Sequence, residues 1–332
     1  MASSRTTLKE LASILKLSIS TISKALNDSH EISDATKKRV VKIAKLYNYR
    51  PNKIALGLKS GRTNTIAVII PSVQNSFFAR ALYGIESVIS KSEYTAIVCF
   101  TRESHKKEVG NFDMLSNGVV DGFIVAVSEE TQTVKNFSHY EDAMNEGKSI
   151  VMFDRVIESI PCTKIKTNDY TAISEATNNL LRSKRNQIIL VSAINNLNVG
   201  KQRTKGYQKA MEEAGLPSVV LKANRDEIEN VLKDYALNNT FDAVIALDTD
   251  ASFAAYKVAS ELGKNISRDV AVIGYMSERI APYLTPALTT INQHSYTMGE
   301  AAAKMLLAQL ESKQNTDQTV LIDSTLSQRA SS

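Results

Sequence analysis

From residue 65 onward the chain alternates short apolar runs with amphipathic stretches, and this rhythm constrains the fold more than any other feature. "TIAVIIP", "YTAIVCF", "DGFIVAV" and "SIVMFD" come first, with a helical stretch around Ala79–Lys91 after the first of them. After Thr167 the rhythm restarts with "QIILVSA", "FDAVIAL" and "DVAVIGY". Short apolar runs set between helices are buried strands, and their repetition builds parallel, doubly wound sheets. The restart predicts two similar subdomains. Such sheets bind ligands beyond the carboxyl ends of their strands, so the cleft between the subdomains is the expected site.

Catalysis has no foothold in these runs. No GxxxxGK[ST] or GxGxxG follows any strand, and no GxSxG is present. The four histidines form no HExxH or other zinc spacing. Cys99 and Cys162 lie in apolar surroundings and are expected to be buried, reduced and inert. Neither a metal nor a cofactor is expected, and the chain reads as a non-enzyme. No apolar run approaches the roughly 18 residues of a membrane span. "MASSRTTLKE" has no secretory pattern, so a cytoplasmic, nucleoid-associated location is expected.

Charge separates the first residues from the rest. Residues 1–65 carry 13 Lys and Arg against 4 Asp and Glu, whereas the remainder is mildly acidic. A basic head on an acidic body points to nucleic acid, although a solvated basic face gives the same count. The arrangement of residues decides between them. Thr7 opens a capping box with Glu10, and Leu8, Leu11, Ala12 and Leu15 follow at helical spacing. Lys16–Leu17–Ser18 breaks the pattern. Ser18 then caps a second helix with Ile22, Ala25 and Leu26 inward, and Ser33 caps a third with Val40, Ile43, Ala44 and Tyr47 inward. Three short helices in about fifty residues, the first two joined by a tight turn, are the helix-turn-helix plan. Its second helix would offer Ile19, Ser20 and Lys24 to base edges, with Ser18, Thr21, Ser23 and Asn27 toward phosphates.

"TLKELASILKLSISTISKALN", with "EIS" and "NYRPN" after it, resembles the DNA-binding head of the lactose-repressor (LacI/GalR) family of bacterial transcription regulators. "FDR", "GYQKAMEEAG", "DVAVIGY" and "PALTTI" continue the resemblance in order through the body. It implies a periplasmic-binding-protein-like body whose chain crosses between subdomains three times, and a dimer on a palindromic DNA operator. It also implies a hinge that folds on DNA. Pro51 suits a first helical position and Lys53–Leu58 make barely two turns around Gly57, a marginal helix. By position Leu58 is the family's minor-groove wedge, with Ala55 beside it and Asn52 just before. Thr7 joins the DNA-contacting set.

The effector pocket follows in the same way. Phe77 and Phe78, beyond the first strand, can stack on a sugar or base face, although Phe78 also fits the core stripe of its helix. The resemblance adds Asp154 and Arg155 from "FDR" and Arg203 ahead of "GYQKAM". Two departures from the family bear on the pocket. Asp248–Thr249 stand where it has Asn-Asp, and Met276 replaces a common hydroxyl-accepting Asp, which leaves the effector's identity open.

The expected fold is therefore α/β: a helix-turn-helix head (1–50), a hinge (51–62), and a body (63–332) of two doubly wound parallel-sheet subdomains. The first subdomain is expected at about 63–164 plus 293–318, and the second at 165–292 plus 319–332. The expected function is a dimeric, operator-binding transcriptional regulator, a repressor, controlled by a sugar or sugar-like effector and not attached to a membrane. A transport solute-binding protein shares the body but has no use for the basic head. A sugar-modifying enzyme would need catalytic motifs that are missing.

Overall fold

The structure, a computed structural model, describes residues 6–49 and 62–332. The hinge expectations on Pro51, Asn52, Ala55, Gly57 and Leu58 lie outside the described residues. The chain forms two compact units, Met1–Thr63 and Asn64–Ser332.

In the smaller unit, α1 (Leu8–Leu15), α2 (Ile19–Leu26) and α3 (Asp34–Leu46) each begin at a hydroxyl cap. At Thr7 the box is reciprocal. Glu10 N donates to Thr7 Oγ1 at 3.2 Å, and Thr7 N donates to Glu10 Oε2 at 2.7 Å. Leu11, Ile22 and Val40, one from each helix, are fully buried, with Leu15, Ala25 and Ala44 around them. The turn after α1 passes through Lys16 at φ 54°, in the left-handed region. One inward assignment fails. Tyr47 is the cap of α3 and 44% exposed, because the chain reverses at Asn48 (φ 49°) and packs Tyr49 on the core instead. Asn tolerates that conformation better than most residues, so it stops the helix early.

The larger unit contains two six-stranded sheets. The first is built from β1 (Thr65–Ile70), α4 (Ser76–Ile89), β2 (Thr95–Phe100), α5 (His105–Ser116), β3 (Gly122–Val125), α6 (Glu129–Val134), α7 (Ser138–Asn145), β4 (Ser149–Phe153) and β5 (Thr163–Thr167). The second is built from α8 (Asp169–Arg182), β6 (Ile188–Ser192), α9 (Asn198–Glu213), β7 (Val219–Lys222), α10 (Ile228–Asn238), β8 (Ala243–Ala246), α11 (Thr249–Glu261), β9 (Ala271–Gly274) and β10 (Thr289–Asn292). Then α12 (Ser295–Ser312) and β11 (Thr319–Ile322) return to the first sheet, and β12 (Thr325–Ser327) joins the second. The strand orders, β2-β1-β3-β4-β5-β11 and β7-β6-β8-β9-β10-β12, repeat one plan. The first sheet is parallel throughout, and the second is parallel but for its β12 edge.

Two subdomain boundaries move relative to the sequence reading. Thr163–Thr167 and Thr319–Ile322 pair with each other in the first sheet, with Ile165 opposite Val320. The first crossing therefore falls at 168 rather than 164, and the third after Ile322 rather than after 318. "TKIKT" carries two lysines and no apolar run, so it does not read as a buried strand. Lys164 is nonetheless buried, because its Nζ donates to Ile160 O at 2.7 Å and Cys162 O at 3.0 Å.

Alternation along the strands fills a core on each face. In β1, Ile66, Val68 and Ile70 face α4 and α12, while Ala67 and Ile69 face Phe112 and Tyr140. Burial of each large side chain contributes about 1.5–3 kcal/mol. The helices α4 and α12 approach so closely that a Cβ on Gly84 would lie 2.1 Å from Tyr296 O. Only glycine fits there. Cys162 is buried and Cys99 half-buried, and burial raises both thiols, Cys162 to about 11.

Candidate functional site

On the head, the N-terminal end of α2 gathers hydroxyls. Ser18 Oγ accepts from Thr21 N at 3.0 Å and lies 2.8 Å from both Ser20 Oγ and Thr21 Oγ1. These side chains sit where the helix's unpaired N–H groups make the local potential positive, a favourable place to meet a phosphate. Ile19 is 49% exposed beside them, an apolar side chain held toward solvent by the cap. Lys24 lies on the last turn of α2 and pairs with Glu31. Any base contact by Lys24 must compete with that carboxylate, which the sequence reading missed. Ser23 is half-buried, and Asn27 is the exposed C-cap of α2. Thr7 is occupied in its capping box.

In the body, loops at the carboxyl ends of strands from both sheets converge on one recess. It is lined by Phe77 and Phe78, Asp154 and Arg155, and Arg203 and Thr249. Six of the seven expected pocket residues therefore meet. Met276 does not join them: it packs among Val272, Ala281 and Leu288 in the second subdomain's core and reaches only a neighbouring recess. Its neighbour Tyr275, pointing to the other side of the strand, takes the place in the cleft. Phe78 lines the recess from within the first core, 2% exposed and edge-on to Phe153 at 6.3 Å.

Charge is concentrated here under heavy burial. Arg203 is 3% exposed, and its Nε donates to Asp169 Oδ1 at 2.6 Å. Its Nη1 donates to Leu247 O at 2.8 Å, and its guanidinium stacks 3.8 Å over the Tyr275 ring. Burial opposes its charge, but Asp169, Tyr275 and Asp154 raise its pKa overall. Arg155 Nη1 donates to both oxygens of Glu103 at 2.8 and 2.7 Å. Asp154, at φ 57°, is 6% exposed, and burial lifts its carboxyl to about 6 against the opposing pull of Arg155 and Arg203. Its Oδ1 has no hydrogen-bond partner among the described residues, nor does the buried Tyr275 hydroxyl.

Asn75, Tyr275 and Gln293, with Ile194, Leu197 and Val199, also line the recess and were not foreseen; Asp248, noted in the sequence beside Thr249, joins them. Asp248 caps α11, accepting from Ala251 N at 2.9 Å and Ala193 N at 2.8 Å. The position of Tyr275 just beyond "AVIG" was the available signal; the loop residues carried none. No group of three or more His, Cys, Asp or Glu among the described residues could hold a metal. No described helix is long and apolar enough to cross a membrane.

Residues 7–52 match the family model described as bacterial regulatory proteins, lacI family, and residues 177–332 match a periplasmic binding protein-like domain. The HTH-type transcriptional regulator RegA of Clostridium saccharobutylicum is 28% identical, with 98% of this chain and 99% of RegA aligned. The ribose operon repressor of Bacillus subtilis is 27% identical over 91% of this chain and 90% of its own. Among solved structures, a lac repressor dimer bound to operator and the anti-inducer ONPF superposes with a TM-score of 0.85 at 18% identity. That superposition covers 98% of this chain and 99% of the repressor chain, and it shows the shared fold. The relatives are transcriptional regulators rather than enzymes, and the chain belongs to the lacI family of bacterial regulatory proteins.

Proposed function

We propose that the protein is a dimeric repressor in the bacterial cytoplasm that binds a palindromic operator and is switched by a sugar-like effector in the body cleft. The observation that carries the effector reading is the pair of orphaned polar atoms there. Asp154 Oδ1 and the Tyr275 hydroxyl are buried beside Arg203 with no hydrogen-bond partner among the described residues. Leaving such groups unpaired costs about 1–3 kcal/mol each, which a ligand's hydroxyls would recover. One relative is named for a sugar operon, the ribose operon repressor, and that supports a sugar-related effector here.

The α2 residues Ser18, Ile19, Ser20, Thr21, Ser23, Lys24 and Asn27, with Thr7, would meet DNA. A two-fold partner would place the second α2 roughly 34 Å away, one turn of the duplex. Leu58, with Ala55 and Asn52, would add the minor-groove contact. Selection of binding sites from a random DNA library is expected to return an inverted repeat. A thermal-shift screen of sugars, sugar phosphates and nucleobases is expected to give a ligand that the Arg203→Gln variant no longer binds. A selected site without symmetry would sink the dimeric reading, and a ligand indifferent to Arg203 would sink the cleft.

A further inference from the structure

The effector recess opens into a larger chamber of 890 Å³, and the two share Asn75, Phe78 and Thr249. A ligand seated against Asp154 and Arg203 would therefore extend into the chamber. Its walls carry chemistry that a single neutral ring in the recess would not use. Each subdomain contributes one guanidinium: Arg102 from the loop after β2, and Arg225 from the loop before α10. Arg225 is already paired, with its Nε 2.6 Å from Asp250 Oδ2. Glu103 is likewise occupied, by Arg155 and by the backbone N of Glu129 at 2.9 Å. Arg102 forms no ion pair with any described residue. With the other charges matched, it leaves the chamber with one uncompensated positive group.

The backbone is shaped to present Arg102. Both Arg102 and Glu103 adopt positive φ, 50° and 62°, a conformation that L residues enter at a cost. Arg102 N is fixed to Pro71 O at 2.9 Å. Both side chains line the chamber, but Glu103 is held by Arg155 while Arg102 has no such ion pair. Apolar groups flank it. Phe100 and Phe253, one from each subdomain, line the same chamber and are 43% and 45% exposed. Rings left open to solvent at a cleft suit the apolar face of a sugar.

We propose that the effector is an anionic saccharide of more than one ring. Its hydroxyl-bearing end occupies the recess, a further ring lies against Phe100 and Phe253, and a carboxylate or phosphate pairs with Arg102. This rests on the cleft being the effector site. Arginine matches both anions through paired N–H donors, so the shared chemistry is the anionic oxygen group.

The test uses the full chain and calorimetric titration with probes matched except for charge. One pair is digalacturonate and its dimethyl ester, and the other is trehalose 6-phosphate and trehalose; galacturonate and glucose 6-phosphate serve as single-ring controls. The charged member of one pair is expected to bind about tenfold tighter than its neutral match and than its single-ring control, and the pair that shows this separates carboxylate from phosphate. In Arg102→Gln that preference is expected to vanish while neutral binding persists. Three results overturn the inference: equal binding of charged and neutral members, a preference that survives Arg102→Gln, or single rings binding as tightly as double ones. Neutral binding abolished by Arg203→Gln, without any charge preference, overturns this inference and leaves the cleft reading intact. Absence of binding by every probe, with operator binding retained, overturns both.

Discussion

Replacing Asp154 by Asn should stabilise the protein near neutral pH, against the usual direction for a buried polar site. The carboxyl is 6% exposed, and burial raises it from 3.8 to about 6 despite Arg155 and Arg203. Below about pH 3.8 the group holds its proton in both folded and unfolded chains. Between about pH 4 and 6 the folded chain keeps a proton that the unfolded chain releases, so stability falls as the pH rises through that window. At about 1.4 kcal/mol for each tenfold change in protonation, the penalty above about pH 6 reaches about 3 kcal/mol as a ceiling. Asn has nearly the same shape and no charge to bury. Urea unfolding of the full chain, followed by circular dichroism because there is no tryptophan, would compare parent and variant at about pH 4.5, 5.5 and 7.5. The gap in favour of the Asp154→Asn variant should open with rising pH and exceed about 1 kcal/mol at about pH 7.5. A constant gap, or a variant less stable at the highest pH, would refute the assignment of the cost to ionisation. Effector affinity should move the other way, because a carboxylate aimed into the cleft accepts ligand hydroxyls more strongly than an amide does.

Lys16→Gly should slow hydrogen exchange in α1 and α2 by an amount equivalent to up to about 1 kcal/mol, since glycine relieves the left-handed φ of 54°. If Lys16 also meets a phosphate, the salt dependence of operator binding should fall by about one counterion. Lys24→Ala should relax base preference within each half-site by roughly 1–3 kcal/mol. An unchanged selected sequence would place Lys24 with Glu31 alone. Gly84→Ala should cost about 1–3 kcal/mol in thermal or urea unfolding, because the added methyl meets Tyr296 O at 2.1 Å and forces α4 from α12; a neutral result would mean the helices separate freely.

What the sequence by itself determined is what depends on period and local chemistry. Hydroxyl caps at Thr7, Ser18 and Ser33 set the starts of three helices, since each satisfies backbone donors within a few residues. Apolar runs such as "TIAVIIP" determined buried parallel strands, and their restart determined a repeated plan. The carboxyl ends of those strands then located the cleft, which made Asp154 legible at the end of "IVMFD", while Arg203 was legible through the family resemblance. Tertiary structure decided whatever depends on a distant partner. Thr163–Thr167 became a strand of the first sheet because Ser149–Phe153 pairs with it on one side and Thr319–Ile322, across the return crossing, on the other. Tyr49, not Tyr47, reached the head's core because the chain reverses at Asn48. Tyr275 rather than Met276 entered the cleft because Arg203 stacks on its ring while the core encloses the methionine. Lys24 gained Glu31, and Arg155 gained Glu103, from loops that carry no periodic signal. A side chain's nearest charges lie where the backbone folds back, and local pattern holds no record of that.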